Sequence, residues 1–206
     1  MDMLKAVKVR IYPTDSQQAH LAQAFGCARW VWNQSLSVMS LTYKETGKGV
    51  SAFDMKKQIP FWKAEHDWLK TCYSQCLQQS VLNLSQAFIN FFDGRAQYPT
   101  FKSKFDRQSL QYPANVKVLS QAQIKFPGNL GIVKARVHRD VTGKLRTVTV
   151  SRMPDGRYYA SLLVEDGIDK PESSSDGKAI GIDLGLIDFA VTSDGSKYQN
   201  PRHLKK

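Results

Sequence analysis

Residues 147–165 read Thr-Val-Thr-Val-Ser-Arg-Met-Pro-Asp-Gly-Arg-Tyr-Tyr-Ala-Ser-Leu-Leu-Val-Glu. Val148 and Val150 alternate with Thr147, Thr149 and Ser151, and an apolar-rich run follows Asp155-Gly156. A period of two on either side of an Asp-Gly pair is the strongest short-range hairpin signal. It predicts a hairpin joining Thr147–Arg152 to Tyr158–Glu165. Working outward, strand-like runs occur at 108–112, 123–126, 130–137, 145–151 and 157–165, separated by Pro127-Gly128, Thr142-Gly143 and Asp155-Gly156. Short strands at this spacing predict a small barrel or sandwich.

Further upstream, residues 5–12 alternate Val7, Val9 and Ile11 with Lys8, Arg10 and Tyr12, a half-buried strand with a basic outer face. Pro13 ends it. The strand has nowhere to pair unless it joins the downstream sheet. Between the two lies a helical stretch. Thr14-Asp15-Ser16-Gln17 reads as a capping box, and Leu21, Phe25, Ala28, Trp32, Leu36, Met39 and Tyr43 recur at helical spacing up to Gly47-Lys48-Gly49. Ser51 caps a shorter helix that Pro60 ends or kinks. A third helix spans about Ser74 to Asp93, with Leu77, Val81, Leu84, Phe88 and Phe91 on one face and Gly94 as its stop. The predicted fold class is α+β: a small β-barrel interrupted by a helical insertion at 15–93.

Charge sharpens this picture. The chain of 206 residues carries a net charge of +11. Residues 99–157 hold 12 basic and 3 acidic groups, whereas residues 1–98 hold 11 and 7. A field concentrated in this way attracts polyanions and gives salt-sensitive binding. With no long apolar segment and no basic amphipathic helix, nucleic acid is favoured over a membrane surface. The three cysteines, Cys27, Cys72 and Cys76, form no CxxC pair and have no histidine cluster beside them. Cys72 and Cys76, one helical turn apart among apolar residues, read as core. An odd cysteine count without a signal peptide points to a reducing cytoplasm.

After the acidic, Ser-rich stretch 166–178 the pattern restarts with Ala179-Ile180-Gly181-Ile182-Asp183-Leu184-Gly185, then a second strand and turn. Asp183 stands mid-strand with Gly181 and Gly185 beside it, leaving room over the carboxylate. Three readings fit: a structural strand whose Asp is satisfied locally, the first carboxylate of an RNase H-like nuclease site that holds Mg²⁺, or the phosphate-facing strand of an actin-like ATPase. The ATPase reading is weakened by Leu186, Ile187 and Asp188, which stand where Gly or Thr would meet a phosphate.

Several strings occur together and in order: Lys5-Ala-Val-Lys-Val-Arg-Ile-Tyr-Pro13, Ala28-Arg-Trp-Val-Trp-Asn33, Tyr43-Lys-Glu-Thr-Gly-Lys-Gly49, and Gly181-Ile-Asp-Leu-Gly-Leu-Ile-Asp-Phe-Ala190 with Ser193-Asp-Gly195. With these the chain resembles the TnpB (OrfB) family encoded by bacterial insertion sequences. The resemblance implies a wedge-type (WED) β-barrel at 1–14 and 94–166, a helical recognition (REC) insertion at 15–93, a linker at 167–178, and the start of a RuvC nuclease domain at 179–206. It implies transposition-linked, RNA-guided cleavage of DNA, with a guide RNA and duplex target DNA beside a short flanking motif as partners. Asp183 matches the first catalytic, metal-holding RuvC carboxylate. Gln78 matches a polar position presented to the duplex, and its neighbours Ser74 and Gln75 are weaker candidates.

Candidate backbone contacts are Lys8, Arg10, Lys102, Lys104, Arg107, Lys134, Arg136, Arg139, Lys144, Arg146 and Arg152. Trp30 and Asn33 could touch RNA or seat the helices. Phe101, Phe105 and Tyr112 lie among these cations, where an aromatic could stack on a base or be buried. The family's later Glu and Asp, and its four-Cys zinc element, are not in this sequence. Asp188 and Asp194 sit within the first hairpin and cannot replace them, so Mg²⁺ catalysis needs a completed site. The chain is expected to bind without cutting. A stand-alone DNA- or RNA-binding protein is the alternative, and an actin-like ATPase fragment a weaker one.

Overall fold

Thr14 closes the capping box that its sequence announces. Its hydroxyl accepts from the Gln17 amide, and the Gln17 side chain accepts from the Thr14 amide at 3.0 Å. From there α1 (Asp15–Thr46) runs 32 residues, about 48 Å at the standard rise, to a left-handed Gly47. The computed structural model describes residues 2–139, 141–169 and 179–202. Most of the linker predicted at 167–178 therefore lies outside the described residues. The chain divides into two compact units, Met1–Asp169 and Lys170–Lys206.

In the first unit, Ser51 caps α2 (Ala52–Lys56) as expected. Pro60 neither ends nor kinks it. The break falls at Lys57, and Pro60 sits in the first turn of α3 (Gln58–Glu65), where a missing N–H costs nothing. A 3-10 turn (Asp67–Thr71) leads to α4 (Ser74–Phe92). The Ser80 hydroxyl of α4 donates to the Ala28 carbonyl of α1 at 2.7 Å, which locks the long helices together.

The strands are β1 (Asp2–Tyr12), β2 (Gln108–Tyr112), β3 (Lys117–Ser120), β4 (Gln123–Lys125), β5 (Ile132–Arg136), β6 (Lys144–Arg152) and β7 (Tyr158–Asp169). They form one antiparallel sheet in the order β2-β6-β7-β1-β5-β4-β3. The strand β1 therefore lies at the centre, with Val9 opposite Ala160 of β7 and Ile11 opposite Ala135 of β5. The sheet curls like half a barrel: Tyr112 of β2 reaches Phe126, just past β4, with ring centroids 5.2 Å apart. It does not close. The edges β2 and β3 are not paired with each other, because α1 and α4 pack across β2 and fill the mouth with Leu21, Phe25, Leu77 and Val81. The α+β class holds, and the barrel is an open one.

The hairpin at 147–165 forms as expected, with Arg152 of β6 opposite Tyr158 of β7. Met153 and Arg157 close a three-residue loop, Pro154-Asp155-Gly156, with Gly156 at φ 80°. This is the bulged type of hairpin rather than a two-residue turn. The strand β3 is not expected from the sequence; four residues, only one of them half-buried, give too weak an alternation. All three cysteines are buried, free thiols in the main core.

In the second unit, β8 (Ile182–Leu184), β9 (Asp188–Thr192) and β10 (Lys197–Gln199) make a three-stranded meander, one strand more than the expected hairpin. Gly181 and Ser193 tie its open end through two hydrogen bonds, of 3.0 and 2.8 Å. Few of its apolar residues are covered. Ile180, Ile182, Leu184, Leu186, Ile187, Phe189 and Tyr198 are all exposed.

Candidate nucleic-acid interface

Strand alternation decides where the cations go. On β1, Val7, Val9 and Ile11 face the core, so Lys8 and Arg10 face outward. On β5, Val133 and Ala135 are buried and Lys134 and Arg136 project the same way as Arg10. On β4 and β3, Lys125 and Lys117 continue the row. The register places Arg10 directly opposite Arg136 and Lys117 directly opposite Lys125. Like charges opposite one another in a sheet are destabilising. Among the described residues, none of these six cations forms an ion pair with a carboxylate. Lys117 escapes a reading of the sequence because β3 does, and Lys125, although within the expected run 123–126, then has no visible partner. The Lys117/Val118 and Ile124/Lys125 alternation is the available signal.

A second group gathers where the β6–β7 turn meets the segment after α4. Lys8, Lys104, Phe105, Asp106, Arg107, Gln108, Arg152, Met153 and Pro154 line an open groove of about 690 Å³. Lys102 stands nearby with its ammonium 3.5 Å from the Trp32 ring centroid. Although much of its chain is exposed, removal of that ammonium from water lowers its pKa, and Asp106 opposes the shift. Asn33 is committed to structure, since its side chain both donates to the Lys102 carbonyl and accepts from the Lys102 amide, at 3.0 and 2.8 Å. Trp30 seats the helices, with its ring edge-on to Trp62, His66 and Trp68.

The remaining candidates lie apart. Lys144 and Arg146 are at the far end of β6, where Arg146 pairs with Glu165. Arg139 is exposed beyond β5, and Gln78 is exposed on α4. The three aromatic candidates separate cleanly. Tyr112 is 1% exposed and cannot stack on a base, whereas Phe101 is 62% and Phe105 is 87% exposed.

Asp183 lies exposed on β8. Asp194 is taken up by its own turn: it accepts from the Thr192 hydroxyl at 2.5 Å and the Ser196 amide at 3.0 Å, which holds its carboxyl below the usual range. Among the described residues, no group of three or more His, Cys, Asp or Glu is placed to hold a metal ion. A two-metal nuclease centre needs several convergent carboxylates, and these residues do not supply them. Among the described residues, no helix is long and apolar enough to cross a membrane.

Known proteins are similar to this sequence over nearly all of its length. A candidate RNA-guided DNA endonuclease of Streptomyces pristinaespiralis is 33% identical over 207 residues, covering 98% of this chain and 51% of the relative. InsQ of Escherichia coli K12, likewise a candidate RNA-guided DNA endonuclease, is 31% identical over 208 residues, covering 100% of this chain and 51% of its own length. A family profile described as a helix-turn-helix domain of OrfB type matches residues 1–48. The chain belongs to the TnpB/OrfB family. It spans about half the length of those two relatives. Virulence protein VsdF of Salmonella dublin is 38% identical over 113 residues, covering 50% of this chain and 95% of VsdF. Within the profile match, this TnpB/OrfB chain forms one strand and a single long helix. Its basic surface is built on the sheet and not on a recognition helix.

Proposed function

We propose that this chain is the nucleic-acid-gripping part of a TnpB-type RNA-guided DNA endonuclease, that it holds a guide RNA and the adjoining target duplex, and that it does not cut by itself. The carrying observation is the pair of like-charged oppositions, Arg10 with Arg136 and Lys117 with Lys125, none of which forms an ion pair with a carboxylate among the described residues. Such pairs cost stability in the free protein and are relieved when phosphates lie across them. In this reading the curled sheet is the wedge domain, the helices at 15–93 are the recognition insertion, and 179–206 opens a RuvC-like domain. Asp183 would be that domain's first metal carboxylate, and completion of the Mg²⁺ site would need carboxylates from outside this sequence. The names of the relatives support the choice of guide RNA and DNA as ligands.

The test is fluorescence anisotropy of a structured RNA and of a DNA duplex against the purified chain at rising KCl. Log affinity should fall linearly with log salt. The double variant Arg10→Gln/Arg136→Gln should reduce that slope by about 2, one unit for each phosphate no longer neutralised. Binding that ignores salt, or a double variant indistinguishable from the parent, overturns the proposal.

A further inference from the structure

Phe105 is the most exposed aromatic ring among the described residues, at 87%. A mobile loop would explain such a ring without any ligand, but this loop is pinned. The Ser103 amide donates to the Asp106 carboxylate at 2.6 Å, and the Phe105 amide donates to the Ser103 hydroxyl at 3.2 Å. The Gln108 side chain donates to the carbonyls of Lys104 and Asp106, at 2.9 and 2.6 Å, and accepts from Arg29 at 3.1 Å. One residue before the loop, Asn33 clamps Lys102 from both sides of its peptide. Asp106, the carboxylate lining the groove, is occupied by this scaffolding. The apolar ring is thus held out in water by the hydrogen bonds that shape its loop.

Around the ring stand Lys8, Lys104, Arg107 and Arg152, four cations lining one groove. The Lys104 ammonium is 5.0 Å from the Phe105 centroid, and the Lys8 ammonium is 4.6 Å from the Tyr159 centroid. An aromatic platform flanked by phosphate-seeking cations suits a base that is out of the helix stack. A duplex offers its phosphates to such a groove but keeps the faces of its bases covered.

Resting on the nucleic-acid reading above, we infer that the groove takes an unpaired nucleotide: its base stacks on Phe105 and its flanking phosphates lie against Lys8, Lys104, Arg107 and Arg152. The pocket has no sequence preference of its own, since every base has a face to stack.

The experiment compares the full chain with Phe105→Ala and Phe105→Tyr. Probes are short DNA and RNA oligonucleotides carrying 2-aminopurine, each in single-stranded form and as a duplex. Circular dichroism melting establishes that the variants fold. Phe105→Ala should weaken single-strand binding by about 5- to 150-fold and abolish 2-aminopurine quenching. It should leave the salt slope and duplex affinity unchanged. Phe105→Tyr should restore binding. Arg152→Gln should instead lower the salt slope by about 0.7 for the single strand. Equal losses for single strand and duplex in Phe105→Ala, or no loss for either, overturn this inference while the salt-steep grip of the parent stands. A parent chain that binds neither form overturns both.

Discussion

Tyr112 and Asp183 mark the two extremes of what a side chain does in this chain. Tyr112 is fully enclosed, its ring beside Tyr73 and Phe126, and burial pushes its hydroxyl far above the usual phenol range. Tyr112→Ala should lower stability by about 3–5 kcal/mol in chemical denaturation, the range for losing a large core ring. Asp183→Ala, on an exposed strand, should change stability by less than about 0.5 kcal/mol. Sequence alone does not separate Tyr112 from Phe105, since both are aromatics among cations. The difference comes from register: Tyr112 stands opposite Val148 on the core side of the sheet, while Phe105 lies in a loop. Asn33 is likewise ambiguous in sequence, because its target, the backbone of Lys102, is far off along the chain.

At the scale of elements, the strongest local signals are legible. The capping box, the left-handed stop at Gly47 and the alternation on β1, β5 and β6 all act over a few residues and survive folding unchanged. What escapes are the short strands β3 and β10, whose three or four residues carry too few alternations to stand above noise. Turn glycines show the same division. The sequence marks Thr142-Gly143 as a turn but not the reason for glycine there. At Gly143, φ is +105°, and a Cβ would lie 2.2 Å from the Glu165 carbonyl oxygen. Gly143→Ala should therefore cost at least about 2 kcal/mol, read as a lowered thermal midpoint. The row of cations on β1, β5, β4 and β3 makes an opposite prediction. Arg136→Gln removes a like-charge opposition, so it should leave stability equal or raise it by about 0.2–1 kcal/mol while weakening nucleic-acid binding. A loss of both together would mean that Arg136 serves the fold.

For the molecule as a whole, the division of labour follows from where carboxylates and cations fall. The first unit carries the basic face and the groove, and the second carries Asp183. With no carboxylate cluster placed to hold a metal ion among the described residues, a purified preparation should show salt-steep binding of nucleic acid and no Mg²⁺-dependent cleavage of a bound duplex. Product that appears with Mg²⁺ and vanishes in Asp183→Ala would contradict that division. The charge imbalance is legible before any coordinate, because charge counts need no geometry. The open curl of the sheet is not, since closure depends on how α1 and α4 fill the space beside β2.

The central place of β1 also governs the order in which the protein can assemble. Lys8 pairs with Ser161, roughly 150 residues later, and Arg10 pairs with Arg136. On the ribosome this strand emerges before both its partners and must wait, both edges unsatisfied, until β5 and β7 have been made. Meanwhile α1 and α4, which rely on nearer contacts, can already form. Closing such long loops late makes folding slow, and a waiting edge strand is a template for wrong pairing. The alternating Lys8 and Arg10 are like charges along that waiting strand, and such charges disfavour pairing between two copies of it.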